Sequence, residues 1–186
     1  VELMKEEGVR FITHTNVGVD LLPKALLEQY DAVVLCCGAE QPRDIQALGR
    51  EEAKGVYFAV DFLTRNTKSL LDSHFADGQY VNAKDKHVVV VGAGNTAMDC
   101  ARAALRVPGV EKATVVYRRS LQEMPAWREE YEEALHDGVE FRFLNNPERF
   151  DADGTLTLRV MSLGEPDEKG RRRPVETNET VTLLVD

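Results

Sequence analysis

The amino-acid sequence predicts an α/β fold in which a parallel sheet is followed by antiparallel strands. From His87 onward, short apolar runs alternate with segments of helical periodicity, the order expected of strand–helix–strand units. Residues 88–91 and 113–117 are almost continuously apolar, as in parallel strands that are covered on both faces. Two later strand-like runs, residues 156–163 and 180–185, are joined by a turn rich in glycine, proline and charge, which is typical of an antiparallel pair.

The composition narrows the class of protein. Hydrophobic residues make up 43% of the 186 residues, which is enough for a packed core. The 23 Lys and Arg against 32 Asp and Glu give a formal net charge of −9 at pH 7, so nucleic acid is not expected as a partner. No apolar run approaches the ~18 residues that a membrane span needs. The odd count of three cysteines, two of them adjacent, predicts no disulfide framework and favours a reduced, cytoplasmic setting. The lack of a Cys-x-x-Cys spacing and the four scattered histidines predict no metal site.

Residues 1–84 form a first region before the strand at residue 88. The pattern predicts strands at 9–13, 32–37 and 56–60, helices at 22–29 and 61–71, and a linker over 73–86. The apolar run 32–37 ends at Gly38, which is typical of a strand buried on both faces. Because Val1 is not a start residue and residues 181–186 stop inside a strand-like run, we expect a piece of a longer protein.

The second region, residues 85–186, carries the strand–helix rhythm. A helix is predicted over 96–107, ended by Pro108 and Gly109, and a strand is predicted over 139–143. Between the strands at 113–117 and 139–143, a second helix is expected with Pro125 in its first turn. Its apolar stripe would consist of Trp127, Tyr131, Ala134 and Leu135.

The most specific motif is a glycine-rich loop between the first of these strands and its helix. It reads Gly92, Ala93, Gly94, Asn95, Thr96, Ala97, a Gly-x-Gly-x-x-Ala pattern. Gly92 permits the tight turn, Gly94 lets a pyrophosphate approach the backbone, and Ala97 lets the helix pack closely on the sheet. The N–H groups of the first helical turn favour the anion. The sequence therefore predicts a Rossmann-like dinucleotide site formed by these six residues.

Two alternatives to this interpretation remain open. The loop could be a glycine-rich turn that binds nothing, or it could bind another nucleotide-like ligand, such as S-adenosylmethionine in a methyltransferase-like fold. Asn95 could contact the pyrophosphate or the nicotinamide side, and it could equally cap the helix that it precedes.

The residues after the second strand indicate which dinucleotide binds. An NAD site places a carboxylate there for the ribose 2′-hydroxyl, whereas this chain has Arg118, Arg119 and Ser120, and no carboxylate before Glu123. Arginine offers a planar, permanently charged donor to a phosphate. The sequence therefore favours NADP over NAD, with two solvated arginines as the alternative.

These motifs resemble a known family. The segments at residues 88–99, 117–120, 124–125, 140–141 and 164–174 are similar to the glutamate synthase small-subunit family, a group of FAD- and NADPH-dependent, iron–sulfur-linked oxidoreductases. The flavin and NADPH region of dihydropyrimidine dehydrogenase is similar too, and residues 101–141 most resemble members named as selenate reductase subunits. Residues 1–84 resemble the same family more loosely, through residues 31–39 and 55–63.

The resemblance implies a division of labour between domains. In that family an NADPH-binding domain is inserted in an FAD-binding domain, so residues 1–84 would be a truncated piece of the FAD domain and a linker, and residues 85–186 the NADPH domain. Hydride would pass from NADPH to FAD, then to iron–sulfur clusters and a terminal reductase partner in the full-length protein. Gly38 would approach the FAD, although this chain alone would not hold it. A non-catalytic dinucleotide-sensing or interaction module is the alternative function.

The remaining motifs carry weaker interpretations. No catalytic residue is assigned, because hydride transfer from a nicotinamide requires no protein acid. Met124 and Pro125 resemble the family's segment near the cofactor, or they form a turn before a helix. The turn at Arg171–Arg173 would be solvated, or would dock an acidic partner or a phosphate. Cys100 is expected to pack inside the structure.

Overall fold

The computed structural model describes residues 1–38, 41–107 and 109–185. The chain separates into two compact units, residues 1–41 and residues 42–186. The first unit contains two short helices, α1 (Glu2–Glu6) and α2 (Pro23–Gln29). The described residues leave out Ala39, Glu40, Pro108 and Asp186. Two predictions therefore lie outside them: the end of the family-like segment 31–39, and the proline expected to end the first helix of the second region.

The strands expected at residues 9–13 and 32–37 were wrong. In the described part of the first unit neither segment belongs to a strand ladder, and the side chains of Val34 and Leu35 are both 82% exposed. A strand satisfies its backbone N–H and C=O groups only by pairing with a neighbour, and none of the described residues pairs with these segments. The apolar pattern therefore indicates a preference for strand structure, but these segments form no strand because none of the described residues pairs with them.

The second unit contains the remaining elements in alternating order. Its described residues form three helices and six strands, with a 3₁₀ turn at Leu121–Glu123. The elements are α3 (Ala59–Ser73), β1 (His87–Val91), α4 (Asn95–Leu105), β2 (Lys112–Tyr117), α5 (Arg128–His136), β3 (Glu140–Phe143), β4 (Asn145–Phe150), β5 (Thr155–Pro166) and β6 (Arg172–Leu184). The short strand expected at 56–60 was wrong, because α3 already begins at Ala59.

The strands form two sheets, which confirms the predicted fold class. β1, β2 and β3 pair in parallel in that order, with Val90 opposite Val115 and Val115 opposite Phe141. β4, β5 and β6 form a separate antiparallel sheet in that order. β4 was not expected from the sequence, and its Pro147 is accommodated at an irregularity of an edge strand, where proline costs no ladder bond.

The parallel sheet lies between the helices and the antiparallel sheet, because alternate residues of a strand face opposite sides. On one face, Ala113 and Val115 of β2 pack in a buried cluster with Met98 and Ala101 of α4. On the other face, Val116 packs with Leu156, Leu158 and Leu183 of the antiparallel sheet. Both faces of β2 are therefore buried, as its continuous apolar run predicted.

Helix α3 packs on α4 and so joins residues 42–84 to the sheet unit. Phe62 of α3 shares a buried cluster with Cys100 and Ala104 of α4. The Cys100 thiol lies 3.8 Å from the carbonyl oxygen of Ala59, so this cysteine packs inside the structure as expected. The boundary at residue 85 between an FAD-domain piece and an NADPH domain stays a prediction.

The start of α5 also differs from the sequence pattern. α5 begins at Arg128, so Pro125 lies in the turn before the helix and Trp127 is its N-cap residue. Tyr131 and Ala134 pack inward as expected, but Trp127 is 70% exposed and Leu135 44% exposed. The capping residue lies half outside the helix, so its side chain does not continue the stripe that the spacing predicted.

Candidate functional site

The glycine loop and the arginine pair, predicted separately, lie at the same edge of the parallel sheet. Gly92 follows β1 and Arg118 follows β2, and these strands are parallel neighbours with Val91 opposite Val116. The Gly92 N–H donates a hydrogen bond of 3.0 Å to the Val116 carbonyl, so the loop begins directly beside β2. Open α/β sheets bind ligands at this carboxyl edge.

Gly94 differs from most glycines of this chain. Of the 13 glycines, 11 have a left-handed φ, including Gly92 at +118°, and such angles favour glycine for conformational reasons. Gly94 has a φ of −87° and a ψ of 174°, which any residue adopts. A Cβ atom built on Gly94 meets no atom within 4 Å. Neither the backbone nor the packing of the described chain therefore requires glycine at this position.

Gly94 is also the N-cap of α4, where it contributes no side-chain cap. Serine, aspartate or asparagine would stabilise the helix better there, since their side chains bond the free N–H groups of the first turn. Beyond the cap the helix sits close to the sheet, with Ala97 8% exposed and Met98 fully buried. The first turn of α4 thus has no side-chain cap and packs closely on the sheet, which leaves its free N–H groups available to an anion.

Asn95 does not cap α4, so that interpretation of Asn95 was wrong. Its side-chain Oδ1 instead accepts a hydrogen bond of 3.0 Å from the backbone N–H of Trp127. A second bond of 3.1 Å runs from the Ala126 N–H to the carbonyl of Ala93. The turn before α5 is therefore fixed to the glycine loop at two points. Residues 124–127 therefore lie beside the loop, where the family resemblance of Met124 and Pro125 placed a segment near the cofactor.

The two arginines occupy different environments after β2. Arg118 is exposed, whereas Arg119 is partly buried and its buried Nε has no hydrogen-bond acceptor among the described residues. Burial raises the pKa of the neighbouring Tyr117 phenol, while the charges of Arg119 and Arg118 act in the opposite direction. Both guanidinium groups therefore contribute positive potential at the end of β2. A buried charged donor without a partner is costly unless an anion satisfies it.

Ser120 has a structural role that the sequence interpretation missed. Its hydroxyl donates to the carboxylate of Glu123 and accepts from the Gln122 N–H at 3.3 Å, and Glu123 accepts from the Ser120 N–H at 3.2 Å. This is a capping box on the 3₁₀ turn. Its spacing, Ser-x-x-Glu, was readable from the sequence. The Ser120 Oγ lies 2.5 Å from Glu123 Oε2 and 2.5 Å from Gln122 Oε1, so its single hydroxyl proton is engaged within this turn.

Met124, the turn at Arg171 and Gly38 were also singled out from the sequence. Met124 packs partly buried against the cluster that contains Ala93 and Ala97. The hairpin turn that carries Arg171 is organised by Asp167, whose carboxylate accepts the Arg171 and Lys169 N–H groups at 2.9 Å each. Gly38 lies in the first unit with a φ of +67°, and its role stays a prediction.

The described residues contain neither a metal-binding cluster nor a membrane-spanning helix. Among residues 1–38, 41–107 and 109–185, no group of three or more His, Cys, Asp or Glu is arranged to hold a metal ion. Within the same residues, no helix combines the length and apolarity that crossing a membrane requires.

Comparison with known proteins identifies the family. Residues 1–178 match the family described as pyridine nucleotide-disulphide oxidoreductase. The chain belongs to this family. The resemblance to glutamate synthase small subunits is also confirmed, because the chain is 39% identical to the glutamate synthase [NADPH] small chain of Escherichia coli (strain K12) over 92% of its length.

Two further relatives show how this chain compares with longer proteins. It is 99% identical over its whole length to the Escherichia coli (strain K12) protein named "Putative oxidoreductase YgfK". The chain spans 17% of the length of that protein and 37% of the glutamate synthase small chain. Among solved structures, FprA of Mycobacterium tuberculosis in complex with NADPH matches with a TM-score of 0.64 at 21% identity, over 88% of this chain and 50% of FprA. That likeness confirms the fold.

Proposed function

We propose that this chain is the NADPH-binding part of a flavoprotein oxidoreductase related to glutamate synthase. The observation that carries the proposal is the open space at Gly94. Its missing side chain leaves room beside the start of α4, although neither the backbone nor the packing of the described chain requires glycine there. A dinucleotide pyrophosphate gives the missing reason, since it approaches the backbone at this position and accepts from the uncapped N–H groups of α4. Family membership and the NADPH complex of FprA support the same ligand.

The choice of NADPH over NADH rests on Arg118 and Arg119. A 2′-phosphate on the adenosine ribose would lie at the end of β2 and would supply the acceptor that the buried Nε of Arg119 lacks among the described residues. Ser120 is not counted among the side-chain donors to this phosphate, because its one hydroxyl proton is engaged within its own turn by Glu123 or Gln122. The positive charge at this edge would also draw an anionic nucleotide to an otherwise acidic chain.

The flavin part of the proposal concerns the longer protein. The sequence contains one Gly-x-Gly motif, and the proposal assigns that motif to NADPH, so no second motif of this kind is left in the chain for the ADP half of FAD. The nicotinamide supplies the hydride when NADPH is bound. This chain's own residues would hold and orient the nucleotide, and FAD, the iron–sulfur clusters and the terminal acceptor would belong to other parts of the protein. Accordingly, we expect the isolated chain to show no flavin absorption.

The substitution Gly94→Val tests the proposal directly. Valine would fill the space that the pyrophosphate enters, while its Cβ meets no protein atom, so we expect native circular dichroism and loss of NADPH binding by calorimetry. Gly164→Ala is the matched control, because Gly164 also lacks a left-handed φ and lies in β5, outside the loop. Retained NADPH binding in a folded Gly94→Val chain would contradict the proposal.

A further inference from the structure

Trp127 is a large apolar side chain left in water at a defined place. It is the only tryptophan of the chain, and it is 70% exposed. Tyr131, one turn further along the same helix, packs edge-on against Phe141 with ring centroids 4.7 Å apart. The fold therefore packs the next aromatic residue of α5, which is partly buried, against the sheet and leaves the indole outside. An exposed indole offers a large, flat apolar face on which a ligand ring can bury surface.

The backbone of Trp127 is held at the glycine loop rather than free in solution. Asn95 accepts its N–H at 3.0 Å, and Ala93 accepts the preceding N–H at 3.1 Å. Both acceptors belong to the six-residue loop that includes Gly94. A ligand whose phosphates lie on this loop must pass within reach of the start of α5.

The half of the ligand nearest to Trp127 follows from chain connectivity. Trp127 lies in the connection from β2 to α5, and the same connection begins with Arg118 and Arg119 at the end of β2. In a Rossmann-type site the end of the second strand faces the adenosine ribose. We therefore expect the adenosine half of the dinucleotide to lie along the connection that carries Trp127.

We propose that the indole of Trp127 stacks on the adenine ring of the nucleotide bound at the loop, an inference that rests on the proposed function. Stacking between a base and an aromatic side chain needs only two flat faces, and an exposed indole on a fixed backbone supplies one of them with little loss of freedom on binding. Asn95 then acts as a positioning residue, because its side chain fixes the residue that carries the indole.

Fluorescence and calorimetry on the whole chain test this assignment. Because Trp127 is the only tryptophan, indole emission reports on this side chain alone. The probes are adenosine 2′,5′-bisphosphate, which carries the adenine and the 2′-phosphate, and nicotinamide mononucleotide, which carries the other half. We expect saturable quenching by the first and none by the second. We also expect Trp127→Ala to weaken binding of the bisphosphate about five- to 150-fold, and Trp127→Phe to retain most of the affinity.

Leu135→Ala is the matched control, since Leu135 is also exposed and lies at the far end of α5. Its affinity for the bisphosphate should equal that of the unaltered chain. If the unaltered chain binds NADPH but Trp127→Ala binds the bisphosphate equally well, the stacking role is overturned and the proposed function stands. Quenching by nicotinamide mononucleotide alone would overturn the adenine assignment. Failure of the unaltered chain to bind NADPH would overturn the proposed function itself.

Discussion

Asn95 and Trp127 are joined by a hydrogen bond of 3.0 Å, from the backbone N–H of Trp127 to the side-chain Oδ1 of Asn95. Asn95 is the first residue of α4 and Trp127 is the N-cap of α5, so the bond couples the starts of the two helices. One end of this link lies beside Gly94. The side chain at position 95 thus affects both the fold and the loop.

Replacing Asn95 separates these two effects. In Asn95→Asp the carboxylate still accepts from Trp127, and its charge at the start of α4 stabilises the helix by about 0.3–1 kcal/mol. The same charge repels the nucleotide phosphates, so we expect unchanged or raised stability in urea unfolding with at least about tenfold weaker NADPH binding by calorimetry. Asn95→Ala, the paired control, should lose stability instead. Equal NADPH affinity in Asn95→Asp and the unaltered chain would show that no phosphate binds there.

A substitution at Ser120 distinguishes its role in capping the 3₁₀ turn from a role in selecting NADPH over NADH. Ser120→Ala removes the capping box with Glu123, so we expect a loss of about 0.5–2 kcal/mol in the free energy of unfolding. The ratio of NADPH to NADH affinity should stay unchanged, because the hydroxyl proton is already engaged. Calorimetric titration of both nucleotides measures this ratio. A selective loss of NADPH binding would place Ser120 among the phosphate ligands after all.

The structural elements around the candidate site that the sequence predicted correctly are local. β1, the glycine loop and α4 are contiguous in the chain, and the apolar run, the glycine spacing and the helical periodicity specify them within a few residues. The strand expected at residues 32–37 did not form because a strand also depends on a distant partner, which an apolar run alone does not provide. Pro147 hid β4, since proline is rare in strands except at an edge or irregularity.

The contacts of the candidate site that the sequence predicted least well are those between side chains and residues distant in the chain. The link from Asn95 to Trp127 spans 32 positions, so no periodicity contains it. The exposure of Trp127 followed from the helix starting one residue later than the stripe indicated. The capping box at Ser120 could have been found, because its two residues are three positions apart.

The three cysteines should differ sharply in reactivity. Burial raises the pKa of the Cys100 thiol to about 11, whereas Cys36 and Cys37 are exposed. At pH 8 only about a thousandth of Cys100 would be thiolate, so a disulfide reagent should modify two thiols quickly and the third only after unfolding. Cys100→Ser should leave the fast phase intact and remove the slow thiol. Three equally fast thiols in the native chain would contradict the buried position of Cys100.

The contact between α4 and α5 should depend on pH. Arg102 donates from Nε to Asp137 at 2.7 Å and also pairs with Glu133 at 2.8 Å. The hydrogen bond from Arg102 holds the pKa of Asp137 below its ordinary 3.8. A lowered pKa in the folded state stabilises the fold above the ordinary value, and this contribution is lost as the pH falls through the lowered value.

Urea unfolding across the acidic range measures this effect. The free energy of unfolding should fall more steeply with acid in the unaltered chain than in Arg102→Leu, which lacks the hydrogen bond to Asp137. Arg128→Leu is the control, because Arg128 pairs with the exposed Glu132 of its own helix and its loss should leave the acid profile unaltered. Parallel acid profiles for Arg102→Leu and the unaltered chain would show that the Asp137 pair does not stabilise the fold.

Calorimetric titration of the chain with NADPH and with NADH tests the central claim most directly. We expect tighter binding of NADPH, and a loss of at least about tenfold in NADPH affinity, with NADH unaffected, when Arg118 and Arg119 are both replaced by Ala. Arg171→Ala, in the exposed hairpin turn, should change neither affinity. Equal binding of NADPH and NADH by the unaltered chain, or an NADPH preference that survives removal of both arginines, would contradict the assignment of this edge of the sheet to NADPH.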